Sequence, residues 1–245
     1  GGDMPEGMLA YGMAMGAENF DEAWEAMWGD PKYRIGDIVQ EAANAQNMHW
    51  VGWTDQGPNS AFTKFPIRSL EDFAGHKLRA GGPQAIFLKA MGGTPVALDA
   101  SEIYMSITLG TIEGTLWDWS GMQDMKYYEV IQYGMMPGWC PAQHQEIYMN
   151  LDKWNSLTDW QRDQIESVFE STYFLTSQMH HEGVEQSMKA LEDSGGEVVY
   201  LSDTELERIR LKAIEEIWPE TAALSDLCAK GVDLWIQYLK DKGRV

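Results

Sequence analysis

Arg79 carries the clearest binding chemistry in this sequence. It ends a strand-like segment, Lys77-Leu-Arg79, and stands just before Ala80-Gly81-Gly82, where small residues let a ligand approach the backbone. A guanidinium there holds a carboxylate through two parallel hydrogen bonds, a geometry lysine does not reproduce. The plain alternative is a surface or salt-bridged arginine. The segment Trp117-Asp118-Trp119-Ser-Gly places two large aromatics around an acid after a strand, and Pro137-Gly-Trp139-Cys places a third on a turn. Aromatic walls exclude water and strengthen an arginine's electrostatics. The competing reading sends Trp117 and Trp119 to one face of a strand as core.

Catalytic constellations are poorly represented. GxSxG, P-loop, HExxH and GxGxxG patterns are absent from the sequence. His180 and His181 adjoin on a helical segment and point in different directions, which suits a solvated face better than a metal pair. His144 falls near the expected cleft and can donate a hydrogen bond, but a lone histidine without an orienting partner is no general base by default. The 15 methionines are scattered and read as core filler. Cys140 and Cys228 form no CxxC pair and read as small apolar residues. No catalytic residue, resident cofactor or metal site is assigned on these grounds.

With 38 acidic against 18 basic residues, the formal charge is −20, which disfavours nucleic acid and anionic membrane surfaces as partners. The acids are spread along the chain as solvated faces. No run approaches the roughly 18 apolar residues needed to cross a bilayer, so membrane insertion is not expected. The opening GGDMPEGML has no basic segment followed by an apolar stretch, so no signal peptide is read there. The 44% hydrophobic content and 11 tryptophans allow a sizeable core.

These residues need elements to position them. Met8 to Met15 reads as a strand leading into a helix that carries Ala23, Trp24, Met27 and Trp28. Residues Arg34 to Gln46 read as a helix, His49 to Trp53 as a short strand, and Thr54 to Ser60, with Gly57 and Pro58, as a loop. Ser69-Leu-Glu-Asp opens a helical turn before the Arg79 strand, and Pro83 suits the first position of the next helix. Thr94 to Leu98 is then a strand, Asp99 with Glu102 caps a helix stopping at Gly110, and Thr111 to Trp119 is strand and loop. Gly134 to Pro141 reads as a loop and Glu146 to Asn150 as a strand. Thr158-Asp-Trp-Gln161 starts a long helix reaching almost to Gly195, with apolar positions at Ile165, Val168, Phe169, Leu175, Met179, Val184 and Met188. Glu197 to Leu201 is a strand, Ser202 caps another helix, and Pro219 precedes a final one. Strands separated by helices at this spacing give an α/β protein with βαβ units and a largely parallel sheet, whose ligands bind at the carboxyl ends of strands. Loops after Arg79, Leu98 and Thr115 then face one cleft.

The ordered set Pro66-Ile-Arg-Ser-Leu-Glu-Asp-Phe-Ala-Gly-His-Lys-Leu-Arg79, Met91-Gly-Gly-Thr-Pro95, Ser101-Glu-Ile-Tyr104 and Leu109-Gly-Thr-Ile-Glu-Gly114 resembles the solute receptors of tripartite ATP-independent periplasmic (TRAP) transporters. The resemblance is strongest from about Pro66 to Trp154 and looser from Tyr11 through the terminal helices. It implies a periplasmic receptor, not an enzyme, that captures a small organic carboxylate and delivers it to a TRAP membrane permease. The implied fold is two α/β lobes with mixed, mainly parallel sheets and a long connecting helix, closing over the ligand. Residues 1–57 and 143–182 would form lobe I, and 58–142 with 183–245 lobe II. Relative to the family the chain reads as N-terminally truncated.

In that resemblance Arg79 matches the arginine that pairs with the substrate carboxylate, and Trp117 falls at a ligand-contacting position. Trp53 and Asn59, from the lobe boundary, complete the expected pocket. The Thr111-to-Trp117 and Pro137-Gly-Trp139 segments look closest to the 2-oxo-acid group, which uses a metal ion beside the carboxylate. Leu116 stands where that group carries glutamate and Pro141 where it carries an acid, which argues against a divalent or sodium ion bridging the ligand. A monocarboxylate, 2-oxo or 2-hydroxy acid is the ligand the resemblance favours. Two alternatives remain open: an α/β enzyme using Asp118 and His144, and a receptor serving an ATP-driven importer or a sensor.

Overall fold

Helix starts in this chain are marked by side chains that accept from the first turn. Asn19 Oδ1 accepts from Glu22 N at 3.1 Å, Ser225 Oγ accepts from Cys228 N at 3.0 Å, and Ser202 Oγ accepts from Glu205 N at 3.3 Å. Asp99 and Glu102 form a reciprocal capping box, as do Ser69 and Asp72. Each cap supplies an acceptor to an otherwise orphaned N–H, a contribution of about 1 kcal/mol.

The computed structural model describes residues 4–245; the opening GGD, part of the expected first lobe, lies outside the described residues. The helices are α1 (Gly7–Tyr11), α2 (Phe20–Trp24), α3 (Ile35–Ala45), α4 (Pro83–Ala90), α5 (Ala100–Thr108), α6 (Ser120–Asp124), α7 (Leu151–Asn155), α8 (Asp159–Asp193), α9 (Asp203–Lys212), α10 (Trp218–Ala222) and α11 (Asp226–Asp241). The strands are β1 (Met48–Thr63), β2 (Lys77–Arg79), β3 (Thr94–Val96), β4 (Gly114–Asp118), β5 (Tyr133–Met136), β6 (Cys140–Asn150) and β7 (Glu197–Tyr200). The chain divides into two compact units. One takes residues up to Gln56, Ala142–Met179 and Trp218–Val245, and the other takes Gly57–Pro141 and His180–Ile217.

The second unit carries a mixed sheet in the order β3-β2-β4-β1-β5-β7. Strand β2 runs parallel to β3 and β4, and β5 runs parallel to β7, while β1 is antiparallel to both β4 and β5. The parallel neighbours β2 and β3 are joined by the crossover helix α4, and α5 leads from β3 to β4, as the βαβ spacing requires. Beneath the sheet lies a core that includes Phe62, Ile103, Ile107, Trp119, Met122 and Leu191, all buried. Each such side chain contributes roughly 1.5–3 kcal/mol by leaving water.

The first unit packs helices against the N-terminal half of β1 and against β6. Trp235 Nε1 donates to Leu9 O at 3.3 Å, Trp218 Nε1 to Ala14 O at 3.0 Å, and Tyr238 OH to Glu25 at 2.9 Å. These contacts correct the expected division, which gave all of 183–245 to the second lobe. Trp218, Trp235 and Tyr238 are buried, and the partners named here belong to the first unit, so residues 218–245 do as well.

Three local expectations also change. Met8–Met15 is not a strand: its first part lies in α1, whose Leu9 and Ala10 are buried. Thr54–Ser60 is not a loop but the middle of β1, with Gly57 at φ +72 where the strand leaves one unit for the other. Glycine is what lets the strand turn there without Cβ strain. Gly134–Met136 lies in β5 rather than in a loop, because β1 and β7 flank it on either side.

Candidate functional site

Arg79 is the last residue of β2, opposite Val96 of β3 and Thr115 of β4 in parallel register. Its side chain therefore leaves the sheet at the carboxyl ends of β2 and β3, beside β4, which continues on to Asp118. Beyond it the chain turns through Gly81 and Gly82, the latter at φ +53 and ψ −130, and enters α4 with Pro83 in the first turn. That turn returns Gln84 toward the strand. Gln84 Oε1 accepts from Arg79 Nη1 at 3.1 Å and from Gly81 N at 3.4 Å. Arg79 Nε donates to Leu98 O at 3.2 Å. The guanidinium carbon stands 4.8 Å from the Trp117 ring centroid, within cation–π range. Two acceptors and an aromatic face thus fix a half-buried cation in orientation.

Trp117 is held in turn by Tyr127, edge to face at 6.5 Å and 89°. Tyr127 is fully buried, and that burial pushes its hydroxyl up to about 12, so it stays neutral beside the arginine.

Asn59 occupies β1 opposite Asp118 and is 2% exposed. Its Oδ1 accepts from Trp139 Nε1 at 2.5 Å and from Gln84 Nε2 at 3.4 Å. A continuous chain of hydrogen bonds therefore runs from Trp139 through Asn59 and Gln84 to Arg79. Next along β1, Ser60 Oγ donates to Met135 O at 2.7 Å and accepts from Trp119 Nε1 at 3.2 Å. Gly138 makes this approach feasible, since a Cβ there would meet Asn59 O at 2.0 Å.

The structure gathers Arg79, Trp117, Asn59 and Trp139 in one unit, linked by these contacts. Trp119 takes the core position: it is fully buried, edge to face on Phe62 at 4.9 Å, and supports the strand rather than facing solvent. Asp118 is half-buried at the end of β4, where its Oδ1 accepts from Ser120 N at 3.1 Å and from Ser120 Oγ in the first turn of α6. Trp53 belongs to the other unit, is 2% exposed and stacks on His144 at 3.8 Å. Gln84 was not among the residues the sequence singled out. Its signal was a polar residue, five after the arginine, in the first turn of a helix with an apolar face.

His144 is buried, and neither ring nitrogen has a hydrogen-bond partner. Desolvation lowers it to about 3, so it is neutral throughout the working range. The position before Trp117 is Leu116, fully buried and without a donor atom, and among the described residues no group of three or more His, Cys, Asp or Glu side chains is placed to hold a metal ion.

Residues 20–224 match the family DctP, bacterial extracellular solute-binding protein, family 7. A solute-binding protein of Sulfitobacter sp. strain NAS-14.1 is 31% identical over 98 residues, 39% of this chain and 30% of the relative. A monocarboxylate 2-oxoacid-binding periplasmic protein of Nostoc sp. strain PCC 7120 is 25% identical over 129 residues, 51% of this chain and 32% of the relative. The chain thus spans about a third of the length of these curated relatives. The crystal structure of a TRAP periplasmic solute-binding protein from Rhodobacter sphaeroides, in an open ligand-free state, superposes with a TM-score of 0.82 at 25% identity, covering 98% of this chain and 76% of that one. Since the family match takes in most of the sequence, this protein belongs to the bacterial extracellular solute-binding proteins of family 7.

Proposed function

We propose that the protein is a periplasmic receptor that binds a small organic carboxylate and delivers it to a TRAP-type permease, and that it catalyses no reaction on its ligand. The observation that carries this reading is the Arg79 guanidinium, held by Leu98 O and Gln84 and faced by Trp117 at the carboxyl edge of parallel strands. A pre-oriented guanidinium offers a carboxylate paired donors at little entropic cost. A monocarboxylate with a 2-oxo or 2-hydroxy group is favoured, by the tryptophans at 117 and 139 and by likeness to the monocarboxylate 2-oxoacid-binding protein of Nostoc. Against catalysis stand the neutral, unpartnered His144 and the engagement of Asp118 by Ser120, which leave no oriented acid–base pair in these candidates.

The test is calorimetric titration of a bound acid against wild type, Arg79→Lys and Arg79→Ala. Loss of one partner from a buried charge-assisted pair costs about 2–5 kcal/mol, on the order of 30-fold or more in affinity. Lysine keeps the charge but not the fork, so it is expected to restore only part of the loss. Unchanged affinity in Arg79→Ala would remove this reading.

A further inference from the structure

The hydrogen bonds around Asn59 are locked in polarity from both ends. An indole N–H only donates, so the amide oxygen of Asn59, and not its nitrogen, must face Trp139. A guanidinium also only donates, so Gln84 must turn its oxygen to Arg79 and its nitrogen to Asn59. Both demands agree, and they leave the Asn59 Nδ2 donors as the outward end of a side chain that is 2% exposed. Among the described residues these donors have no acceptor. An amide donor without a protein partner, on a side chain that is otherwise buried and one side-chain amide away from a fixed guanidinium, is placed to receive an oxygen that comes with a carboxylate.

We infer that Gln84 and Trp139 act as positioning residues that force Asn59 to present a donor beside Arg79, so that the site selects acids with an acceptor oxygen near the carboxylate and rejects the matching 2-amino acids. An ammonium group has no lone pair for Asn59 to donate to, and it also meets the positive field of Arg79. A 2-oxo or 2-hydroxy oxygen satisfies the donor. This rests on the receptor reading of Arg79 and assigns to Gln84 a role in specificity.

The test is isothermal titration of the whole protein with matched acids of three to six carbons, bearing a 2-oxo, 2-hydroxy, 2-amino or no substituent. The 2-oxo or 2-hydroxy acid is expected to bind at least about 10-fold more tightly than its 2-amino counterpart, because the latter covers the Asn59 donor without giving it an acceptor. Gln84→Met and Trp139→Phe each release the Asn59 amide and are expected to shrink that ratio at least about threefold; Gln84 also holds Arg79, so the readout is the ratio between matched acids and not the affinity of any one of them. A merely structural role would weaken all four acids together. Equal binding of 2-amino and 2-oxo acids by the wild type overturns the inference, and needs no variant to fold. An unchanged ratio in both variants, with wild-type unfolding midpoints, also overturns it. Failure of every acid to bind, or indifference to Arg79→Ala, instead overturns the receptor reading and the inference with it.

Discussion

Replacing Gly138 by alanine puts a Cβ 2.0 Å from Asn59 O, 2.6 Å from Asn59 C and 2.9 Å from Ser60 Oγ. The first two obstacles are backbone atoms, so no side-chain rotation relieves them, and the strand must retreat by more than an ångström. The retreat falls on Trp139 Nε1 to Asn59 at 2.5 Å, Trp119 Nε1 to Ser60 at 3.2 Å and Ser60 Oγ to Met135 O at 2.7 Å. Overpacking of this kind costs about 1–3 kcal/mol, and weakening one or two buried hydrogen bonds adds about 1 kcal/mol each. A total near 3 kcal/mol in a chain of this length lowers the thermal midpoint by roughly 6–12 °C. Thermal circular dichroism reads this, with Gly183→Ala as the control. Gly183 lies inside α8, and an added Cβ there meets nothing within 4 Å. The control is expected to gain about 0.5–1 kcal/mol from reduced backbone freedom in the unfolded chain. A Gly138→Ala midpoint within 1 °C of wild type would refute the close approach of Gly138 to β1, and with it the anchoring of Asn59.

Trp117→Leu removes the ring faced by the guanidinium, and carboxylate affinity is expected to fall by about 3- to 30-fold, the range of a partly desolvated cation–π contact; equal affinity in calorimetry would place the ligand elsewhere. Glu146 is half-buried on β6, and desolvation raises its carboxyl to about 7. A raised carboxyl stabilises the fold fully below its unfolded value near 4.3, and that contribution is lost as pH rises through about 7. Thermal midpoints of Glu146→Gln relative to wild type are therefore expected to improve steadily from pH 4.5 to 7.5; a constant difference across that window would contradict the assignment.

Much of the frame was legible because it is written in local chemistry. The reciprocal boxes at Ser69 and Asp99, the Thr158 start of α8 and the strand ending at Arg79 each depend on residues within a few positions of one another. Gly57 and Pro58 are turn residues by type and suggest a loop, whereas they sit within the long strand β1 where it passes from one unit to the other. Leu175, Val168 and Met179 were read as apolar positions of α8 but are largely exposed, while Tyr173 is buried against Phe20 at 3.6 Å and Trp24 at 4.7 Å. Helical periodicity identifies the element but not which side a distant aromatic cluster will claim. Arg79 and Trp117 were visible as residue types beside strand ends. Gln84 was not, because its role depends on a return turn and on two donors, Arg79 and Trp139, that lie 60 residues apart in sequence.

The central claim, that this protein holds a carboxylate on Arg79, is tested most directly by calorimetric titration with a panel of mono- and dicarboxylates, 2-oxo acids, sugar acids and neutral sugars, run on wild type and Arg79→Ala. Saturable heat confined to acids, strongest for small 2-oxo or 2-hydroxy acids and lost in Arg79→Ala, is the expected result. Binding of neutral sugars alone, or acid binding that survives the loss of Arg79, would contradict it.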